Sequence, residues 1–181
     1  MRDLSRIILV VSLVTSGWLG TAEAKIFHSR ESALKVAFPG AERIEHRNVF
    51  LTPKQVEAVK RMSQAPLQTS LVRVYVAFKH GKVFAYGFID THVVRTLPET
   101  FITVVGIDGA VLGVHLLAFQ EPLEYMPAKR WLGQFRGKHL KPSLRIRYDI
   151  SGIAGATLSA LSVTRGVRRV LALYRVIFGR K

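Results

Sequence analysis

The sequence predicts a single α+β domain, with a mainly antiparallel sheet of two hairpins flanked by helices and a long C-terminal helix. Residues 70–89 and 101–118 each have strand patterns on both sides of a glycine-containing turn, as a β-hairpin does. From Ala160 to Phe178 the apolar residues recur at the spacing of one helix face. Hairpins that follow each other directly, with helices before and after them, indicate the α+β class.

Residues 1–24 have the pattern of a secretory signal. Two arginines form a basic start, an apolar run covers residues 7–19, and a small-residue cleavage pattern ends at Ala24. The apolar run is short for a membrane span, although an uncleaved N-terminal anchor stays open as an alternative. In both cases we expect residues 25–181 to be extracytoplasmic, for example periplasmic. An uncleaved anchor would also associate the protein with a membrane.

Residues 25–69 are predicted to be the N-terminal helical and strand part of the domain. A serine N-cap and a Pro-Gly stop predict a helix over residues 29–38. A strand pattern follows over residues 43–51. Thr52 then opens a Thr-Pro-Lys-Gln capping box with proline at the first helical position, which predicts a helix to about Met62.

Residues 70–181 are predicted to form the core of the domain. The hairpin turns are expected at His80-Gly81 and at Asp108-Gly109, and Asp-Gly is a pair preferred in type I′ turns. Three further elements are expected after the hairpins, namely an exposed loop, a short helix and a final strand, over residues 119–127, 131–137 and 144–148.

Charge and composition limit the partners and cofactors. The chain has 27 basic and 12 acidic residues and a net charge of +15, which favours anionic ligands, acidic proteins or an anionic membrane surface. Nucleic acid is not an expected partner, because the chain is exported and has no recognition-helix or RNA-binding motif. The absence of cysteine excludes disulfides, thiolate metal sites and c-type haem attachment. The six histidines lack metal-ligand spacing, so no metal site is predicted.

The clearest candidate for a ligand site is the glycine turn over residues 151–159, Ser-Gly-Ile-Ala-Gly-Ala-Thr-Leu-Ser, which leads into the C-terminal helix. Backbone N–H groups in the first turn of a helix lack intrahelical partners and lie at the positive end of the dipole, so they bind phosphate without a metal. Thr157 adds a hydroxyl that can donate to a phosphate or be esterified by it. A structural glycine turn with an ordinary N-cap is the alternative.

Two strings in this chain resemble motifs of one protein family. Residues 153–160, Ile-Ala-Gly-Ala-Thr-Leu-Ser-Ala, resemble the Ser/Thr-Gly-Ala-Thr-x-Ser/Thr signature of the FMN-binding domain family, which includes the flavin subunits of the sodium-pumping NADH:quinone oxidoreductase and of the Rnf complex. Residues 131–138, Trp-Leu-Gly-Gln-Phe-Arg-Gly-Lys, resemble the family's short helix with its Phe-x-Gly-Lys ending. Glu121-Pro122 matches part of the loop before that helix. The resemblance covers roughly residues 70–178.

The resemblance implies that the protein binds FMN. In the family a phosphoester joins the flavin to the last Thr of Gly-Ala-Thr, which is Thr157 here, and a separate flavin transferase forms this bond. The implied partners are this transferase and a periplasmic or membrane redox protein, such as a haem- or quinone-linked complex. The protein would then be an exported electron carrier rather than a stand-alone enzyme, and no catalytic acid-base pair is predicted.

FMN needs an anion site, a flat apolar surface and polar groups near the flavin ring. The predicted anion site is the helix start, formed by Gly155, Ala156, Thr157, Leu158 and Ser159. The predicted apolar surface and its hydrogen-bond partner lie in the loop after the second hairpin and are Leu123, Tyr125, Met126 and Glu121. Arg136, Lys138 and Arg145 are candidate cations that would favour flavin reduction, and an ordinary solvated surface is the alternative for them.

Two other functions stay open from the sequence. One face of the C-terminal helix carries Arg165, Arg168, Arg169 and Arg175, which suits a solvated surface or a docking site for an acidic partner or an anionic membrane. The protein would then be a basic binding module without flavin. Alternatively, it would be a reductase that binds FMN non-covalently and acts on a small substrate.

Overall fold

An antiparallel sheet forms the centre of the protein. The computed structural model describes residues 25–26 and 29–179, so the predicted leader lies outside the described residues. The sheet order is β1-β6-β5-β4-β3-β2, in which β2 to β6 form a five-stranded meander and β1 extends it by two residues. The strands are β1 (Lys25–Ile26), β2 (Arg43–Phe50), β3 (Leu71–Lys79), β4 (Lys82–Val93), β5 (Pro98–Gly106) and β6 (Val111–Phe119).

Helices cover both faces of the sheet. They are α1 (Arg30–Ala37), α2 (Pro53–Ser63), α3 (Lys129–Leu132) and α4 (Thr157–Phe178), with short 3-10 turns at Leu123–Tyr125 and Gly133–Phe135. The α1 helix buries Ala33 and Ala37 against one face. The α2 and α4 helices share the larger core on the other face. The predicted single α+β domain with an antiparallel sheet and a long C-terminal helix is confirmed.

The predicted helix starts are confirmed for α1 and α2. Ser29 Oγ accepts the N–H of Ser32 at 3.3 Å. Thr52 Oγ1 accepts the N–H of Gln55 at 3.3 Å, and the Gln55 side chain accepts the N–H of Thr52 at 2.9 Å. These reciprocal bonds satisfy two backbone donors that a helix start otherwise leaves unpaired.

The two hairpins form as predicted, but their turns differ. His80 and Gly81 both have positive φ, at 51° and 68°, as a type I′ turn requires. In the second hairpin only Gly109 has positive φ, at 82°, so the type I′ prediction for Asp108-Gly109 is wrong. Asp108 Oδ1 instead accepts the N–H of Ala110 at 3.1 Å, and this Asx-type bond accompanies a longer turn.

The predicted strand over residues 144–148 is also wrong. Leu144 and Ile150 are fully buried, which explains the strand-like pattern. The backbone hydrogen bonds, however, close within the segment, because the N–H of Arg147 donates to the carbonyl of Ile150 at 2.9 Å and Arg147 has a φ of 71°. The segment is therefore a series of turns that leads to the start of α4.

The α4 helix places its predicted apolar face on the sheet and α2. Ala160, Val163 and Val167 are fully buried. At Gly166 the helix backbone approaches the ring of Phe101 so closely that a Cβ would overlap it. The prediction that the four arginines form one exposed face is wrong, because Arg168 is only 5 % exposed and the Arg169 side chain is 12 % exposed.

Arg168 holds α4 to α2 and to the loop before α4. Its guanidinium donates to four backbone carbonyls, at distances of 2.8 to 3.2 Å, those of Met62, Ser63, Lys141 and Leu144. Met62 and Ser63 are the last residues of α2, where helix carbonyls lack intrahelical partners and the dipole is negative. The buried cation therefore satisfies carbonyls that would otherwise lose hydrogen bonds.

We expect Arg168→Leu to lower the free energy of unfolding by about 3 kcal/mol, because it leaves buried carbonyls without donors. Arg165→Leu, an exposed position on the same helix, is the matched control and should change it by less than about 0.5 kcal/mol. Urea unfolding followed by circular dichroism measures both. Equal effects of the two substitutions would show that the Arg168 hydrogen bonds contribute little.

Candidate functional site

The α4 helix begins without a side-chain cap. Gly155 has a φ of 77°, which reverses the chain, and Ala156 occupies the N-cap position with φ −122° and ψ 43°. Alanine has no side-chain oxygen to accept an N–H of the first turn, and capping residues usually stabilise a helix by about 1 kcal/mol. The backbone N–H groups of Thr157, Leu158 and Ser159 therefore remain available to an anion.

The short α3 segment holds the turn that precedes α4. The indole N–H of Trp131 donates to the carbonyl of Ser151 at 2.7 Å, and the Ser151 N–H donates to the side-chain oxygen of Gln134 at 2.9 Å. Trp131 also packs edge-on against the buried ring of Phe135, with 5.5 Å between the ring centroids. The string of residues 131–138 thus holds Ser151, two residues before the string of residues 153–160 begins.

A second segment is brought to the helix start by the carboxylate of Glu121. This side chain is 4 % exposed, and its Oε1 accepts the N–H groups of Arg95, Thr96 and Leu97 at 3.0, 2.8 and 2.9 Å. Burial acts to raise the pKa of Glu121, but the three N–H donors outweigh it and the pKa is lowered. Glu121 is thus an ionised anchor for the loop between β4 and β5.

A pocket of about 230 Å³ lies where these segments meet. It is lined by the helix start and by two side chains from other loops, namely Gly155, Ala156, Thr157, Leu158, Ser159, Arg95 and Tyr125. The Arg95 guanidinium lies over the ring of Tyr125, 5.3 Å from its centroid. The pocket therefore combines unpaired helix N–H groups, a hydroxyl, a cation and an aromatic ring.

The structure brings most, but not all, of the predicted site residues together. The five residues of the helix start and Tyr125 line one pocket. Glu121 does not line it but accepts hydrogen bonds from the loop that carries Arg95. Met126 lines a different cavity, together with Arg136. Leu123 is 46 % exposed and does not line the pocket. Arg145 donates instead to the carbonyl of Pro142 at 2.6 Å.

Arg95 is the site residue that sequence reasoning missed. It belongs to no recognisable motif and lies about 60 residues before Thr157 in the chain. The contact between the Glu121 carboxylate and the loop after β4 holds it near the helix start. A buried glutamate directly after a strand is a signal for such an anchor, but it does not identify which loop is anchored.

A second polar feature is an ionic cluster under α4 that consists of Asp90, His92, Glu99 and Arg169. His92 contacts Asp90 through Nδ1 at 2.9 Å and Glu99 through Nε2 at 2.7 Å. Arg169 donates to both carboxylate oxygens of Asp90, at 2.6 Å for the shorter pair. Oε2 of the fully buried Glu99 has no hydrogen-bond partner among the residues that the structure describes. The cluster joins α4 to β4 and β5.

The cluster stabilises a charged histidine. Burial acts to lower the pKa of His92, but hydrogen bonds to Asp90 and Glu99, with their charge, outweigh it and raise the pKa to about 9. Burial raises the pKa of Glu99, and His92 offsets this only in part. Both ring nitrogens of His92 contact carboxylates, so we interpret His92 as a cation that stabilises the fold.

Two features are absent from the described part of the chain. Within residues 25–26 and 29–179, no group of three or more His, Asp or Glu side chains has an arrangement that would hold a metal ion. Among the helices of these residues, none combines the length and the apolarity that crossing a bilayer requires.

We expect stability to fall at alkaline pH through His92. Because its pKa is raised in the folded state, its contribution is complete below the unfolded-state pKa of about 6.5 and is lost as pH rises through about 9. His92→Gln should flatten the decline in unfolding free energy between these values. His139→Gln, at an exposed histidine, is the control and should keep it. Parallel pH profiles of wild type and His92→Gln would contradict the assignment.

Comparison with known proteins assigns no family to the chain. It matches no protein-family model, and no curated protein matches it. The geometry of the helix start and the resemblance of residues 131–138 and 153–160 therefore carry the functional proposal.

Proposed function

We propose that the protein is an exported, FMN-binding electron-transfer protein, in which FMN is bound as a phosphoester to Thr157. The observation that carries the proposal is the pocket at the start of α4, where the residues of the family-like string meet Arg95 and Tyr125. The resemblance described above supplies the identity of the cofactor. The geometry supplies the reason why a phosphate would bind there.

The residues present fit the phosphate end of FMN. An uncapped helix start offers backbone N–H donors and the positive end of the dipole. The Arg95 guanidinium adds a charge-assisted donor on the facing loop. The exposed hydroxyl of Thr157, at the first helical position, is accessible to a modifying enzyme. Among the described residues no side chain caps this helix start, so its N–H groups have no capping side chain to compete with a phosphate.

The size of the pocket suits the phosphate end rather than the whole cofactor. Pockets that enclose a drug-sized ligand have volumes of roughly 300–1,000 Å³, and this one has about 230 Å³. Two large apolar side chains at the site are exposed. Leu158, which lines the pocket, is 47 % exposed, and Leu123, in the loop that carries Tyr125, is 46 % exposed. In our proposal the ring lies on this apolar surface and stays accessible, as an electron carrier requires.

The chemistry follows from the cofactor and from the charge around it. Bound FMN supplies one- and two-electron transfer. Arg95 provides positive charge beside the site and so favours the negatively charged reduced form. From the resemblance we propose an electron carrier rather than a stand-alone enzyme.

The proposed partners follow from export and from the proposed linkage. Formation of the phosphoester requires a flavin transferase that acts where the mature chain resides and a flavin dinucleotide as donor, whose phosphoanhydride bond breaks as the Thr157 oxygen bonds to phosphorus; the nucleoside monophosphate leaves and the hydroxyl proton goes to solvent. Electrons would then pass to or from a periplasmic or membrane redox protein, such as a haem- or quinone-linked complex. The net charge of +15 suits an acidic docking surface on that partner.

The alternative of a flavin-free module that docks through an arginine face has lost its main support. Arg168 and Arg169 are both engaged within the protein, with backbone carbonyls and with Asp90. Only Arg165 and Arg175 of the four remain exposed. A reductase with non-covalent FMN is distinguished from the covalent carrier by the experiments that follow.

We expect covalent flavin on the wild-type protein when it is expressed with its export signal in a host that has a flavin transferase. Thr157→Val removes the hydroxyl with little change of shape and should abolish the fluorescence of the denatured gel band. Thr157→Ser keeps a hydroxyl and should retain labelling. Ser151→Ala, at an exposed hydroxyl in the same turn, is the matched control and should label as the wild type does.

The outcomes separate the candidate functions. Colour that is lost on denaturation would favour the reductase with non-covalent FMN. A colourless wild-type protein under these conditions would contradict both flavin proposals. Flavin fluorescence on the denatured Thr157→Val protein would show that the flavin is attached to another residue.

We expect Arg95 to recognise the phosphate of free FMN. In the Thr157→Val background, Arg95→Gln should weaken FMN binding about tenfold, because a charge-assisted contact is lost. Riboflavin, which lacks the phosphate, should bind both proteins equally, and Arg61→Gln on α2 is the control for net charge. Flavin fluorescence titration measures these constants. An equal loss for FMN and riboflavin would show that Arg95 does not contact the phosphate.

A further inference from the structure

A larger cavity lies at the edge of the sheet, apart from the pocket at the start of α4. It has a volume of about 430 Å³, within the roughly 300–1,000 Å³ of small-molecule pockets. Residues of α1, of β6 and of the segment around α3 line it. Tyr125 lines the pocket at α4 whereas the next residue, Met126, lines this cavity, so the two sites share one loop but no lining residue.

The lining of this cavity is mainly apolar, and part of it is exposed to solvent. Val36 is 46 % exposed and Leu112 is 43 % exposed, although both are large apolar side chains. Met126, Pro127 and Leu132 continue the same surface. Glycines at positions 113 and 133 keep side chains out of the space. Exposed apolar surface that forms a concave wall is typical of a ligand-binding groove.

The charged groups of the cavity have one sign. Lys129 and Arg136 line it, and none of the described lining residues carries a carboxylate. Within the described part of the chain, neither cation forms an ion pair. An apolar wall with unpaired cations is complementary to a molecule with an apolar body and an anionic head.

We propose that this cavity is a second ligand site, which binds a single-chain organic anion of the medium-chain fatty-acid type. The chain lies against Val36, Leu112 and Leu132, and the head group meets Lys129 and Arg136. The inference is independent of FMN, because none of the residues that line this cavity lines the pocket at the start of α4.

The test uses two ligands that share an eight-carbon chain and differ in charge, octyl sulfate and octyl glucoside, both below their critical micelle concentrations. Binding to the full protein is followed by chemical shifts in ¹H–¹⁵N NMR spectra. We expect octyl sulfate to shift the amides of residues 112–116 and 126–136 and to bind about tenfold more tightly than octyl glucoside. Spectral dispersion confirms that each variant is folded.

Three variants make the test specific. Gly133→Leu should abolish binding, because Gly133 has helical dihedral angles and a Cβ there meets no atom within 4 Å, so the side chain can fill the space. Val36→Glu should also abolish it by placing a carboxylate on the wall. The double variant Lys129→Gln/Arg136→Gln should weaken octyl sulfate binding about tenfold. Lys54→Gln/Arg61→Gln, with the same net charge, should bind as the wild type does.

Several results would overturn the inference. Shifts spread over the basic surface instead of these segments would indicate non-specific attraction. Equal affinity for the two ligands would exclude recognition of the anionic head. Unchanged binding by a folded Gly133→Leu protein would place the ligand elsewhere.

Discussion

The docking of α4 on the sheet is the constraint on which the candidate site depends. Arg168 fixes the helix through two carbonyls at the end of α2 and two in the loop before α4, and Arg169 fixes it to Asp90 on β4. Burying such cations is tolerated only because each of them has several acceptors. With its middle held in this way, the helix has a fixed first turn, and the donors of that turn lie at a defined place beside β4 and β5.

The site itself is assembled from three segments that are distant in the sequence. Trp131 and Gln134 hold the turn before α4, Glu121 holds the loop that carries Arg95, and the segment after Glu121 carries Tyr125. The links made by Trp131, Gln134 and Glu121 are hydrogen bonds between a side chain and the backbone, so contacts within the protein, and not the ligand, set the positions of the donors. A preorganised anion site of this kind loses little entropy when it binds.

Local rules predicted the local parts of this structure. Capping residues gave the starts of α1 and α2, and periodicity gave the hairpins and the buried face of α4. The strand at 144–148 and the turn at Asp108-Gly109 failed because hydrogen bonds within the segment decided the conformation. Arg95, and the burial of Arg168 and Arg169, depend on contacts between distant segments, which composition and spacing do not encode.

We propose that FMN is attached to the hydroxyl of Thr157, at the start of α4. Trypsin cuts after Arg147 and Arg165, and the resulting peptide of residues 148–165 contains Thr157 together with other hydroxyls, those of Tyr148, Ser151, Ser159, Ser162 and Thr164. Fragmentation mass spectrometry of this peptide, from protein matured with a flavin transferase, locates the modification. We expect FMN on Thr157 alone. A flavin on any other residue, or an unmodified peptide from a coloured protein, would contradict the claim.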